Sequence, residues 1–188
     1  MRATLKSMII LGALLAFGLS AGLVHAKNVD AGTFYITPKV GMYANSSNRI
    51  SSMFSYGAEA GFFMIDGLSL GLEGLGYVVT QKRYPVSSLD TYETVNAFSP
   101  IGIFRYHFVP SDRFTAFIGL GLGGFFSNVK IPRNGYTSNL TEVAEVGFTV
   151  GLTDILALQL AGRYQHIGEF SNKGADNWGG NLGLKVGF

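Results

Sequence analysis

The last eleven residues, Trp178 to Phe188, alternate strictly between two kinds of side chain. Trp178, Leu182, Leu184, Val186 and Phe188 fall on one face, and Gly179, Asn181, Gly183, Lys185 and Gly187 on the other. A period of two is the signature of a β-strand. The run is as long as the roughly 9–11 residues that a tilted strand needs to cross a bilayer. Its apolar face begins and ends on an aromatic, where the two interfacial girdles of a membrane barrel would lie. A chain that closes on such a strand must find partners for both of its edges and a solvent for its apolar face.

The same alternation recurs along the chain, interrupted by polar stretches. It predicts strands over about 33–44, 53–64, 68–80, 97–108, 114–126, 141–152, 155–167 and 178–188, eight in all. Phe34, Ile36, Val40 and Met42 share a face of the first, and Ile118, Leu120 and Leu122 a face of the fifth. The fourth is less regular: Ile101 and Ile103 fall on the side of Arg105, and Pro100 predicts a bulge or local irregularity. Connections near Asp66-Gly67, Val109–Asp112 and Thr153-Asp154 read as short turns. Those at Asn45–Ser52, Gln81–Asn96, Ser127–Asn139 and Gly168–Asn177 are longer and polar. Alternating short and long connections predict an all-β, eight-stranded antiparallel up-and-down transmembrane β-barrel, with short periplasmic turns and longer extracellular loops.

If the apolar face meets lipid, the opposite face carries Lys39, Glu59, Glu73, Arg105, Glu145, Arg163 and Lys185. A water-soluble barrel would place these charges outside. In an eight-stranded barrel the interior is just wide enough for side chains to fill it. Charges there are expected to pair, because a buried charge without a partner is costly. Glycines on the same face leave space for long charged side chains. Seven paired residues of this kind read as a structural plug in preference to a pore lining.

Residues 1–26 have the three parts of a secretory leader. Arg2 and Lys6 form a basic start, Met8 to Leu19 an apolar run, and Val24-His25-Ala26 a small-residue cleavage site. The expected domains are therefore a cleaved signal peptide, 1–26, and a barrel, 27–188. Two of the 14 basic residues lie in the leader, which leaves 12 against 12 acidic residues. A neutral mature chain gives no electrostatic case for nucleic-acid binding. The absence of cysteine removes disulfide frameworks and thiolate metal sites.

Three stretches carry a family likeness: F-I-G-L-G-L-G at Phe117 to Gly123, F-R-Y-H-F at Phe104 to Phe108, and the terminal N-L-G-L-K-V-G-F. The chain resembles the superfamily of small outer-membrane barrels that includes the OmpA transmembrane domain, OmpX-like proteins and neisserial opacity proteins. The resemblance spans residues 27–188. It implies residence in the outer membrane of a Gram-negative bacterium, contact with outer-membrane lipid, and delivery by periplasmic chaperones and the barrel assembly machinery. It also implies that Phe188 is part of the terminal signal read by that machinery. A monomer is expected.

Sites for chemistry are sparse. Gly119 to Gly124 contains G-x-G-x-x-G, but within a strand, where no helix follows to receive a dinucleotide. His107 and His166 are the only histidines after the leader, too few for a metal site. His166, Glu169 and Ser171 lie together near the end of the seventh strand, in a spacing unlike the H-x-S pattern associated with lipid A deacylase barrels. Asn45-Ser46-Ser47 and Asn139-Leu140-Thr141 match a glycosylation sequon but read as ordinary loop residues under bacterial export. No catalytic residue, cofactor or metal is expected. The remaining candidates are the external loops, where Arg83, Tyr84, Tyr92, Arg133 and Tyr136 suit contact with an extracellular protein or glycan. The expected function is a non-enzymatic surface, structural or adhesive role. A narrow channel for small solutes is the alternative, followed by an outer-leaflet lipid enzyme.

Overall fold

A computed structural model of the chain describes residues 29–45, 50–83, 91–108, 113–133, 135–168 and 174–188. The leader 1–26 and the turn Val109–Asp112 lie outside the described residues. Eight strands follow one another in order: β1 Phe34–Asn45, β2 Ile50–Ile65, β3 Leu68–Lys82, β4 Tyr92–Phe108, β5 Phe114–Ile131, β6 Tyr136–Gly151, β7 Leu156–Ile167 and β8 Ala175–Gly187. Each pairs antiparallel with its neighbours in sequence, and β1 pairs with β8 to close the barrel. Closure leaves the terminal strand no free edge along its paired length. Phe188 completes the seam by exchanging backbone hydrogen bonds with Phe34, at 2.9 and 3.0 Å.

The alternation read from the sequence is the alternation of the wall. Leu120 is 69% exposed on the outer face, whereas Arg163 and Glu73 inside are 2% and 0% exposed. Outside, Phe34, Phe62, Tyr106, Phe114 and Phe148 ring the end that carries the short turns. Tyr56, Phe98, Phe126, Tyr164 and Trp178 ring the other. An apolar outer wall between aromatic belts, over a charged interior, is the polarity of a barrel whose solvent is hydrocarbon. Ile101 and Ile103 of β4 are buried in the lumen, beside Gly121 and Gly123 of β5.

The β2–β3 connection is the tight turn that Asp66-Gly67 predicts, with Ile65 opposite Leu68. Gly67 has φ +75°, and a Cβ there would approach the carbonyl oxygen of His107 to 2.9 Å. Both facts require glycine. Asp66 secures the turn by accepting the backbone N–H of Ala31 at 2.8 Å.

One expectation is met in part and another needs correction. Pro100 marks a local irregularity and no bulge: β3 and β4 stay in one register from Leu68↔Tyr106 to Lys82↔Tyr92, with Pro100 opposite Gly74, while towards β5 the ladder skips Ser99 and Pro100 between Phe98↔Phe126 and Ile101↔Gly123 without a shift. The register shifts lie instead between Ile50 and Ser52, Phe63 and Ile65, and Phe126 and Ile131. The longer connections are also shorter than expected, because Gln81-Lys82, Tyr92–Asn96, Ser127–Ile131 and Tyr136–Leu140 are strand. These segments stand above the aromatic belt, where the outward face meets water and no longer has to be apolar, while Gln81, Val95, Ile131 and Asn139 stay buried on the inward face. β6 runs from Tyr136 to Leu140 beyond its last pair with β7, Thr141↔Ile167, and β2 extends beyond its last pair with β1, Tyr43↔Met53. Strands β2–β6 thus raise a ridge on one side of the barrel's mouth.

Candidate functional site

Six charged side chains from six strands meet at the middle of the lumen. Glu59 of β2 accepts Arg105 of β4 through both oxygens, the Nη2–Oε2 bond being 2.7 Å. Glu59 also accepts Lys39 of β1 at 2.6 Å and the hydroxyl of Tyr35 at 2.8 Å. Glu73 of β3 accepts Lys39 at 2.6 Å and Arg163 of β7 at 2.7 Å on each oxygen. Glu145 of β6 lies between Nε of Arg105 and Nε of Arg163, the latter at 3.1 Å. Three carboxylates thus face three cations, and each carboxylate touches at least two of them. Charge-assisted bonds of this density are what make a buried ionic cluster tolerable. Glycine makes the space: a Cβ at Gly119 would stand 3.0 Å from Cγ of both Arg105 and Glu145.

Lys185, the seventh residue of the set, occupies a different layer nearer the short turns. Its Nζ lies 4.3 Å from the ring centres of both Tyr35 and Phe63, a cation–π seat between β1 and β2. His107 packs in the same layer against Phe63 and Phe117, at 5.0 and 5.4 Å between ring centres, and its Nε2 is 3.2 Å from the hydroxyl of Ser69.

Towards the long-loop end the lumen turns apolar. Tyr43, Ile50, Met53, Leu75, Tyr77, Val79, Val95, Phe125, Ile131, Ile167 and Ala175 form one buried cluster. Tyr77 sits 5.2 Å from Phe125 and donates to Gln165 at 3.1 Å. The interior is thus stacked in three layers, aromatic, ionic and apolar. The apolar one is legible only in retrospect, from Leu75, Tyr77 and Val79 sharing the parity of Glu73. Tyr35 shares the parity of Lys39, and that signal would have assigned it to the network.

At the rim, Glu93 of β4 joins Arg83 and Arg133, at 3.4 and 3.2 Å. Gln81 braces it from below, donating to Glu93 and to the carbonyl of Lys130, each at 2.9 Å. Tyr92 and Tyr136 are exposed but belong to strands, not loops. Tyr84 lies outside the described residues. Between β7 and β8, Nδ1 of His166 meets Oδ1 of Asp176 at 2.7 Å, and the hydroxyl of Tyr164 donates to the same oxygen at 2.6 Å. Glu169 and Ser171 lie outside the described residues. No group of three or more potential ligands suited to a metal ion occurs among the described residues.

No protein-family model matches the chain, and no curated protein does. Solved structures do. The chain is similar to Neisserial surface protein A, at 20% identity over 84% of this chain and 99% of that one, with a TM-score of 0.60. It is similar to the N-terminal β-barrel domain of Pseudomonas aeruginosa OprF, at 19% identity over 84% and 98% of the two chains, TM-score 0.56. It is also similar to the outer membrane protein OprG from Pseudomonas aeruginosa, at 15% identity over 87% and 99%, TM-score 0.61. These likenesses extend over nearly the whole of each solved chain, and they establish the architecture: this protein has the closed, eight-stranded, up-and-down fold of the small outer-membrane barrels.

Proposed function

We propose that the chain is an integral barrel of a Gram-negative outer membrane, exported by a leader ending at Ala26, which acts from its surface and not through its lumen or by catalysis. The observation that carries the reading is the polarity of the wall combined with the filling of the interior. An apolar, aromatic-belted exterior fits lipid, while the ionic cluster and the apolar cluster above it fill the interior with buried side chains among the described residues. Larger barrels are the ones that hold open aqueous channels. The role that remains is structural or adhesive, exercised where the ridge of β2–β6 stands clear of the outer aromatic belt. There Arg83, Glu93 and Arg133 form a small ionic patch flanked by Tyr92 and Tyr136, residue types that suit a protein or glycan partner.

The test is binding of cells displaying the chain to arrays of immobilised extracellular proteins and glycans. The reading expects capture on at least one surface, lost in a variant with Arg83→Ala, Tyr92→Ala and Arg133→Ala that still reaches the outer membrane. Capture unaffected by those changes would count against the ridge as the contact region.

A further inference from the structure

The outer wall of the ridge carries a feature that the rim patch does not use. Lys82 ends β3 opposite Tyr92 and alternates with buried Gln81, so it points away from the lumen. Lys130 of β5 alternates with buried Ile131 and points the same way, and it is exposed. Gln81, the neighbour of Lys82, reaches under β4 to the carbonyl of Lys130 at 2.9 Å. That bond places the two lysines on either side of one intervening strand, about two inter-strand spacings or roughly 10 Å apart. Both lie beyond Phe98 and Phe126, a pair in the outer aromatic belt, on the same outward face of their strands. Lys130 is four residues past Phe126 in sequence, which puts it about 13 Å farther along the strand. Asn128 is exposed between them. Among the described residues of the ridge above this belt, Lys82 and Lys130 face outward, whereas Glu93 lies opposite buried Gln81 and holds Arg83 and Arg133 at the rim.

We infer that Lys82 and Lys130 form a lateral site for the phosphorylated sugar headgroups of the outer leaflet's glycolipid. The direction of the side chains selects this ligand. A soluble polyanion would be met by groups pointing upward from the mouth, but these two point sideways from the wall, on the outward face that carries a lipid-facing aromatic pair farther down. Lysine is a point charge on a flexible stem, suited to phosphate at that level, and cations held near an anionic surface gain from each charge they contribute. The site would fix one side of the barrel to the glycolipid layer and so orient the ridge.

The inference rests on the membrane reading above. The experiment uses the mature chain refolded in zwitterionic micelles, with folding verified by a heat-dependent gel shift. Bis-phosphorylated lipid A and the same glycolipid after phosphatase treatment are then titrated in, and bound copies are counted by native mass spectrometry. Wild type and the control Arg113→Gln, at the short-turn end, should prefer the phosphorylated form on the order of tenfold, the scale expected of two interfacial lysines. The double variant Lys82→Gln/Lys130→Gln should bind both forms alike. Equal binding of both forms by wild type, or a preference that survives in the double variant, overturns the site. A soluble sulfated polymer whose binding depends on these lysines while glycolipid binding does not would overturn it in favour of an external polyanion. A wild-type chain that never acquires the heat-dependent shift would instead overturn the membrane reading itself.

Discussion

Arg163 on β7 donates through a single nitrogen, Nη2, to both carboxylate oxygens of Glu73 on β3, each at 2.7 Å. The two strands stand four apart in a ring of eight, so the bond spans the barrel. Lys39, Arg105 and Glu145 brace the same pair from three further strands. The ion pairs that cross the lumen therefore tie opposite walls of the barrel together.

Removing one partner should therefore be expensive. Glu73→Ala and Arg163→Ala are each expected to destabilise the folded barrel by about 3–5 kcal/mol, the cost of leaving a buried charge uncompensated. Glu59→Ala and Arg105→Ala should behave alike, since Glu59 holds both Arg105 and Lys39. Urea unfolding in micelles reads the effect as a lowered midpoint, and unchanged midpoints for all four variants would remove the ionic cluster from the account.

Space around the cluster is the second constraint. A methyl group at Gly119 would press on Arg105 and Glu145 together, at 3.0 Å from each Cγ. Gly119→Ala is expected to cost about 1–3 kcal/mol, as overpacking usually does. The same substitution at Gly32, where no atom lies within 4 Å, lacks the clash and should cost less, with its positive φ as the only strain. A Gly119→Ala midpoint equal to or above that of Gly32→Ala would mean that the network has slack.

The outward face makes a prediction of the opposite sign from that of a soluble barrel. Leu120, midway along the apolar wall, should tolerate arginine badly in lipid, at a cost of about 2–4 kcal/mol near the bilayer midplane. Asn128→Arg, beyond Phe126 on the same strand, should cost little. Refolding yields and denaturant midpoints in vesicles measure both. A harmless Leu120→Arg would contradict the membrane-facing assignment.

The apolar layer at the long-loop end should matter to stability independently of the charges. Phe125 is fully buried against Tyr77. Phe125→Ala is expected to lower stability by about 3–5 kcal/mol through lost burial and a residual cavity. A change of under about 1 kcal/mol would indicate that this layer is loosely packed.

Much of this architecture was readable in the chain because one solvent boundary imposes one rule. Wherever a strand passes through the apolar zone, parity decides which residues meet lipid, as with Ile118, Leu120 and Leu122 against Gly119 and Gly121. Where the strands leave that zone the rule lapses, so Tyr92–Asn96 and Tyr136–Leu140 read as loop although they are paired. Partnerships across the lumen were not readable either. Glu73 and Arg163 are 90 residues apart, and parity alone places both inside without saying which carboxylate meets which cation. His166 and Asp176 met for a similar reason, through a β7–β8 register that the sequence leaves open. Pro100 was legible as an irregularity, since the pairing with β5 lapses there, but not as a bulge, because an outward proline can interrupt a ladder without shifting its register.

The most direct measurement is single-channel conductance of the refolded mature chain in a planar bilayer, after the heat-dependent gel shift has shown it to be folded. A lumen closed by the Glu59–Arg105 and Glu73–Arg163 pairs and capped by the cluster around Tyr77 and Phe125 predicts an electrically silent barrel. Reproducible discrete openings, altered by Glu59→Ala or Arg105→Ala, would contradict it and make the interior a conducting path.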